Sequence, residues 1–133
     1  MLEELKTRVD ALYLEYVFPV LATVRIGEDP EAVAFEKTLL EAARATGVKV
    51  RRYMFPLGDV TAPEMEELLR QAGADFLLSA ILLERPLPQG WDAAALDGQI
   101  PEKKRLCQPA DGSAESAAAL LKAVIDAAER NAK

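Results

Sequence analysis

The sequence contains no histidine and only one cysteine, Cys107. Without histidine, the chain lacks the commonest general base, the commonest metal ligand and the base of Ser-His and Cys-His nucleophile pairs. A single cysteine cannot form an intrachain disulfide or a thiolate metal cluster. We therefore predict no catalytic group of these kinds and no bound metal, and we interpret Cys107 as a small buried residue.

Long apolar runs and an excess of positive charge are also missing. No stretch reaches the roughly 20 apolar residues that a membrane-spanning helix needs, and the charged N-terminus lacks a signal-peptide core. The 16 Lys and Arg residues against 22 Asp and Glu residues give a net charge of -6, whereas a nucleic-acid partner requires a positive surface. We predict a cytoplasmic protein with no nucleic-acid or membrane partner.

Nucleotide-binding motifs are the third absence. The seven glycines form neither a GxGxxG turn after a strand nor a Walker A loop, the two motifs that hold dinucleotides and nucleoside triphosphates. The sequence therefore predicts no nucleotide cofactor.

What the sequence does contain is an alternation of helical and strand patterns. Apolar residues at helical spacing between capping residues indicate helices, and β-branched or wholly apolar runs indicate strands. The alternation predicts an α/β fold, a single three-layer α-β-α domain over residues 1–133 with a small, mostly parallel sheet of about four strands. The predicted helices cover 2–16, 30–46, 61–73, 91–96 and 117–128, and the predicted strands cover 19–27, 48–55, 75–83 and a short stretch near 104–107.

Ligands of such sheets usually bind beyond the carboxyl ends of the strands. In this chain those ends are predicted at 27–30, 55–59 and 84–88. Candidate binding residues are therefore expected in these segments and in the helix that follows the first of them.

Three segments of the chain occur in a familiar order. They are VRIGEDPEAVAFEKTLLEAARATGVKV, a Thr-initiated acidic helix ending in AGAD, and LLSAILLERPLP. Together they resemble the N-terminal domain of the methylenetetrahydrofolate dehydrogenase/cyclohydrolase family. In that family an Asp-Pro turn precedes a helix, and an apolar strand leads into a Gln-Leu-Pro-Leu-Pro loop. The resemblance covers about residues 19–90.

The resemblance implies catalytic positions that this chain fills with other chemistry. The family carries a tyrosine and a catalytic lysine four residues apart on the helix after Asp-Pro, and the matching residues here are Phe35 and Leu39. A spacing of four residues places both side chains on one face of the helix. Phe35 has no hydroxyl, and Leu39 cannot donate, accept or transfer a proton. Lys37 lies two residues off, on a different face, and does not replace the lysine.

The resemblance also names candidate residues in the loops. The family's glutamine matches Glu84, and its proline loop matches Arg85 to Pro88, so Glu84, Pro86 and Leu87 are candidate cleft residues. Asp111 matches the family's pterin-binding aspartate only if a few residues are inserted; the alternative is a turn or helix-cap role. For Glu84 the alternative is an exposed ion pair with Arg85. The Cys-Gln-Pro segment at 107–109 resembles the family's Cys-Thr-Pro that leads into the nucleotide-binding domain, which implies that this domain and its NADP site are absent.

Three functional hypotheses follow. The first is a non-catalytic relative with no dehydrogenase or cyclohydrolase activity. Its cleft, formed by Phe35, Leu39, Glu84, Pro86, Leu87 and Asp111, either binds a folate or another small molecule or is filled by side chains. The second is an interaction module that forms a homodimer or binds a partner enzyme of one-carbon metabolism. The third is an unrelated enzyme that uses Glu84 and Asp111 as a carboxylate pair with a divalent metal.

Overall fold

The computed structural model of the chain describes residues 1–132. Across these residues the helices and strands alternate along the chain, as the sequence predicts. In order they are α1 (Leu2–Leu14), β1 (Val20–Ile26), α2 (Pro30–Thr46), β2 (Lys49–Phe55), α3 (Ala62–Ala74), β3 (Ala80–Leu83), α4 (Ala93–Asp97), β4 (Arg105–Leu106) and α5 (Ala114–Asn131), with a short 3-10 turn at Glu102–Lys104.

The four described strands form one parallel sheet in the order β2-β1-β3-β4. Leu21 of β1 lies beside Ala80 of β3, and Ile81 of β3 lies beside Arg105 of β4. Because all pairs are parallel, the carboxyl ends of the strands meet at one edge of the sheet. The prediction of an α/β domain with a small parallel sheet is confirmed.

Helices cover both faces of this sheet. Alternate residues of β3 separate the two apolar layers: Ala80 and Leu82 pack with α1, α2 and α5, while Ile81 and Leu83 pack with α3 and α4. This alternation follows from the two-residue period of a strand. It also explains why the central strands β1 and β3 are apolar almost throughout, since both of their faces are buried.

Local capping determines where the helices on either side of the sheet begin. The Asp29 side chain accepts a hydrogen bond from the backbone N–H of Ala32 at the start of α2, and Pro30 takes the first helical position. Gly47 ends α2 with a φ of 91°, a left-handed conformation that favours glycine. Thr61 and Glu64 form a capping box at the start of α3.

Two expectations for individual segments are wrong. The strand predicted over 75–83 begins only at Ala80, because Asp75 turns the chain by accepting hydrogen bonds from the backbone N–H groups of Leu77 and Leu78. Cys107 is exposed and not buried, since it lies in the irregular segment after β4.

None of the helices within residues 1–132 is long and apolar enough to cross a membrane.

Candidate functional site

The carboxyl end of β3 directs two neighbouring side chains to opposite faces of the sheet. Glu84 follows the alternation of Ala80 and Leu82 and is buried beneath α2. Arg85 follows Leu83 to the other face, where its Nη2 lies 2.7 Å from Asp97 Oδ2 of α4. The expected exposed pair between Glu84 and Arg85 is therefore wrong, because adjacent residues that continue a strand point in opposite directions.

Glu36 of α2 holds two strands to the helix through its carboxylate. Arg25 Nε of β1 donates to Glu36 Oε2 at 2.9 Å, and Arg52 Nε of β2 donates to Glu36 Oε1 at 2.7 Å. Only 2% of the Glu36 side chain is exposed. Burial raises the pKa of Glu36, but hydrogen bonds with Glu84, Arg25 and Arg52 outweigh it, so the pKa is lowered and Glu36 stays ionised.

Glu84 is the buried acid opposite Glu36. Its two oxygens accept no hydrogen bond from any residue in the described part of the chain. The pKa of Glu84 is raised to about 9, chiefly by burial and secondly by the hydrogen bond with the Glu36 carboxylate. Two carboxylates cannot hydrogen-bond to each other, so the pair requires a proton on Glu84, which Glu84 donates to Glu36.

Phe35 and Leu39, which the sequence resemblance matches to a tyrosine and a lysine, lie on the buried side of α2. Phe35 is 4% exposed and Leu39 is fully buried, and both belong to the apolar cluster between α1, α2, α5 and the sheet. Lys37 points to solvent. The helix therefore presents an apolar side chain to the core at each of the two positions.

A cavity of about 250 Å³, which we call the α2 cavity, lies between α2 and the segment before α5. Phe35 lines it together with Asp111, and the Cβ of Phe35 lies near Gly112. The other polar groups along it are the Glu31 carboxylate, the Thr38 hydroxyl and the Gln108 amide. The cavity wall therefore offers mainly hydrogen-bond acceptors beside one aromatic ring.

Asp111 is fixed in this cavity by the start of α5. Its Oδ1 accepts hydrogen bonds from the backbone N–H of Ser113 at 3.1 Å, from the Ser113 hydroxyl at 2.7 Å and from the Ser116 hydroxyl. These hydrogen bonds lower the pKa of Asp111 to about 2, with the largest effect from the Ser116 hydroxyl and smaller effects from the Ser113 hydroxyl and N–H. Asp111 is therefore a permanent anion near neutral pH, and it also has the turn role that the sequence offered as its alternative.

The remaining candidate residues do not join Phe35 and Asp111 in the α2 cavity. Leu39 and Glu84 are buried beneath α2, Leu87 packs on the α3 and α4 side, and Pro86 is exposed. Glu84 and Asp111 therefore do not form a carboxylate pair there. No group of three acidic, cysteine or histidine residues able to hold a metal occurs within residues 1–132.

Sequence reasoning missed the charged network of Arg25, Glu36 and Arg52. Two signals could have indicated it. Arg25 is the one charged residue in the apolar run of β1, and Glu36 lies between Phe35 and Leu39 on the buried face of α2. A charge at an inward position is almost always paired.

Residues 1–105 match the family described as tetrahydrofolate dehydrogenase/cyclohydrolase, catalytic domain. A bifunctional protein FolD from Chloroflexus aggregans is 35% identical over 104 residues, which are 75% of this chain and 33% of the relative. The chain thus spans about a third of that relative's length.

Solved structures share the fold. The bifunctional FolD of Campylobacter jejuni superposes with a TM-score of 0.74 at 24% identity, covering 78% of this chain and 36% of the other. The FolD of Trypanosoma brucei, in complex with NADP cofactor and an inhibitor, superposes with a TM-score of 0.72 at 24% identity, covering 77% and 35%. At this identity the likeness concerns the fold of the described strands and helices.

Proposed function

The chain belongs to the tetrahydrofolate dehydrogenase/cyclohydrolase family, and from that membership we propose that it is a non-catalytic member whose α2 cavity binds a folate-like ring. This proposal rests on the burial of Leu39. The family's lysine position here holds a hydrocarbon that is fully buried in the core. A group in that place can neither transfer a proton nor stabilise developing charge.

The side chains around the α2 cavity support the same reading. The residues that line it include no lysine or arginine. Asp111, its fixed anion, has a pKa lowered to about 2, so it cannot act as a general acid near neutral pH. A cyclohydrolase step needs groups that transfer protons, and no lysine, histidine, cysteine or tyrosine lines the cavity.

The same wall suits binding of a flat heterocycle. Asp111 Oδ2 makes no hydrogen bond with residues 1–132, because all the bonds of this carboxylate fall on Oδ1. An ionised oxygen of this kind accepts strong hydrogen bonds from ring N–H groups. Drug-sized ligands occupy about 300–1,000 Å³, so a cavity of about 250 Å³ matches the ring portion of a folate more closely than the whole molecule.

NADP binding does not fit the starts of α2 and α3, the helices that follow the carboxyl ends of β1 and β2. Dinucleotide phosphates bind where free N–H groups at a helix start point at the anion. Here Asp29 accepts from the start of α2 and Thr61 and Glu64 satisfy the start of α3, so two carboxylates already lie at these positions. We therefore propose that residues 1–132 bind no nucleotide cofactor.

The experiment is calorimetric titration of the purified chain with reduced folates, together with thermal unfolding in their presence. Binding to the folded state alone stabilises it by about 2.7 kcal/mol at a ligand concentration of 100 times Kd. Asp111→Asn is expected to weaken the binding, and Asp10→Asn, an exposed aspartate on α1 that pairs with Lys6, serves as the matched control. Absence of folate binding by the unmodified chain contradicts the proposal.

A second candidate function, an interaction module, rests on an apolar surface at the amino ends of the strands. We call it the amino-end patch and define it by Leu14, Tyr16, Phe18, Phe76 and Leu77, all exposed. The first three precede β1 and the last two precede β3. Since β1 and β3 are neighbours, both segments lie at the same edge of the sheet, opposite the α2 cavity. Large exposed apolar patches commonly mark interaction sites.

A further inference from the structure

A second cavity lies on the other face of the sheet, between the carboxyl end of β3, α4 and β4. Its volume is about 150 Å³, and we call it the β4 cavity. Arg85, Asp97, Arg105, Cys107 and Gln108 line it. It is separate from the α2 cavity, although Gln108 contacts both.

Positive charge exceeds negative charge in the β4 cavity. Arg85 is fixed there by Asp97, by the carbonyl of Leu83 at 3.0 Å from Nη1, and by Gln108, whose amide oxygen accepts from the Arg85 backbone N–H at 2.7 Å. Arg105 donates through Nη2 to the carbonyl of Ile100 at 2.8 Å. Two guanidinium groups therefore face a single carboxylate.

Arg105, one of the residues that line this cavity, retains an unused donor. Its Nε–H is buried and makes no hydrogen bond with any residue between 1 and 132. A buried donor without an acceptor costs free energy, and native proteins generally supply a partner for it. Of the two terminal nitrogens of this guanidinium, only Nη2 donates to a residue between 1 and 132, so the N–H groups of Nη1 remain for an oxyanion.

We propose that the β4 cavity is a binding site for a small oxyanion, phosphate or carboxylate, held by Arg105 and Arg85. Its volume corresponds to about five water molecules at about 30 Å³ each, which is enough for a small anionic group. Arg85 replaces the leucine of the family's Gln-Leu-Pro-Leu-Pro pattern, so the site follows from this chain's own residues. It does not depend on what the α2 cavity binds.

Cys107 makes the proposal directly testable, because it lines the β4 cavity, is exposed and is the only cysteine of the chain. We would measure its reaction rates with an anionic and a cationic methanethiosulfonate reagent of similar size. Removing one positive charge about 6 Å away changes each rate by roughly threefold in opposite directions. Arg105→Gln should therefore lower the anionic-to-cationic rate ratio several-fold, whereas Lys122→Gln, which removes a charge on α5, should leave it unchanged.

Occupancy is measured on the same thiol with iodoacetamide, which is uncharged. Inorganic phosphate should slow alkylation of Cys107 with a saturable concentration dependence, and chloride at equal ionic strength should not. The protection should be lost in Arg105→Gln. Equal effects of phosphate and chloride on the unmodified protein, or no protection by phosphate, overturn the proposal even if the Arg105 variant fails to fold. Neither result bears on folate binding in the α2 cavity.

Discussion

Glu36 and Glu84 face each other beneath α2 as an ionised and a protonated carboxyl group. Arg25 and Arg52 hold the charge on Glu36, and burial keeps the proton on Glu84. Together with Arg25, the pair joins α2 to the carboxyl ends of β1 and β3. In this chain the ion pairs of Glu36 with Arg25 and Arg52 connect α2 to the sheet.

The first prediction concerns the pH dependence of stability. The pKa of Glu84 is about 9 in the folded state and about 4.3 when unfolded. Between these values the folded state holds a proton that the unfolded state releases, so stability falls as pH rises, by up to about 1.4 kcal/mol per pH unit. Glu84→Gln removes this titration.

Chemical unfolding at pH 5 and pH 8 checks this prediction. The stability of Glu84→Gln relative to the unmodified chain should increase from pH 5 to pH 8. Glu41→Gln removes a carboxylate from the exposed face of the same helix and should show no such trend. Parallel behaviour of Glu84→Gln and the unmodified chain would falsify the protonated state of Glu84.

The second prediction concerns the charge on Glu36. Glu36→Gln leaves Arg25, whose side chain is 11% exposed, without its carboxylate. Breaking a buried ion pair from one side typically costs about 3–5 kcal/mol. We expect a loss of this size in the free energy of unfolding, with Glu41→Gln changing it by less than about 0.5 kcal/mol. Equal stabilities of the two variants would show that the network contributes nothing.

The third prediction tests whether the family's lysine can simply be restored. Leu39→Lys places an ammonium group in a fully buried position, so we expect a loss of about 4 kcal/mol or more and no gain of activity. Leu39→Met nearly conserves volume and should cost less than about 1.5 kcal/mol. A stable, active Leu39→Lys protein would mean that position 39 reaches the cavity and not the core.

The fourth prediction concerns the amino-end patch. If it mediates self-association, Phe76→Ser should shift the protein toward the monomer in sedimentation velocity, because Phe76 is 88% exposed and supplies a large apolar area. Leu57→Ser removes another exposed apolar side chain, 70% exposed, beyond the carboxyl end of β2, and should leave association unchanged. If the unmodified chain is monomeric at all concentrations, the amino-end patch does not mediate self-association.

The sequence is sufficient to predict the central elements, because their ends carry local chemical signals. Asp29 and Pro30 determine the start of α2, and Gly47 determines its end. These residues act on the backbone next to them, so no knowledge of distant contacts is needed. The observed α2, Pro30–Thr46, coincides with the predicted range.

The buried charges could be predicted only in part. If the two-residue period of β3 is continued to residues 84 and 85, it predicts that Glu84 and Arg85 point to opposite faces of the sheet, as they do in the structure. Both residues were predicted to lie in the loop after β3, where no strand alternation fixes the direction of a side chain. The partner of Glu84 could not be inferred in the same way, since it depends on how α2 is rotated against the sheet.

The irregular segment at 107–112 could not be placed from sequence. Its path depends on tertiary contacts, such as the Gln108 amide that bonds to both the N–H and the C=O of Arg85. No local pattern encodes a contact between residues so distant in the chain. The walls of both cavities were consequently missed, although Asp111 was correctly considered as a turn residue.

The most direct test of the central claim is the rate of methenyltetrahydrofolate hydrolysis, followed by absorbance, with the purified chain in place of a bifunctional FolD. We predict a rate equal to that of buffer, because Leu39, the residue that we match to the family's lysine, is a buried hydrocarbon. A rate that rises with protein concentration, persists in Asp10→Asn and disappears in Asp111→Asn would contradict the account.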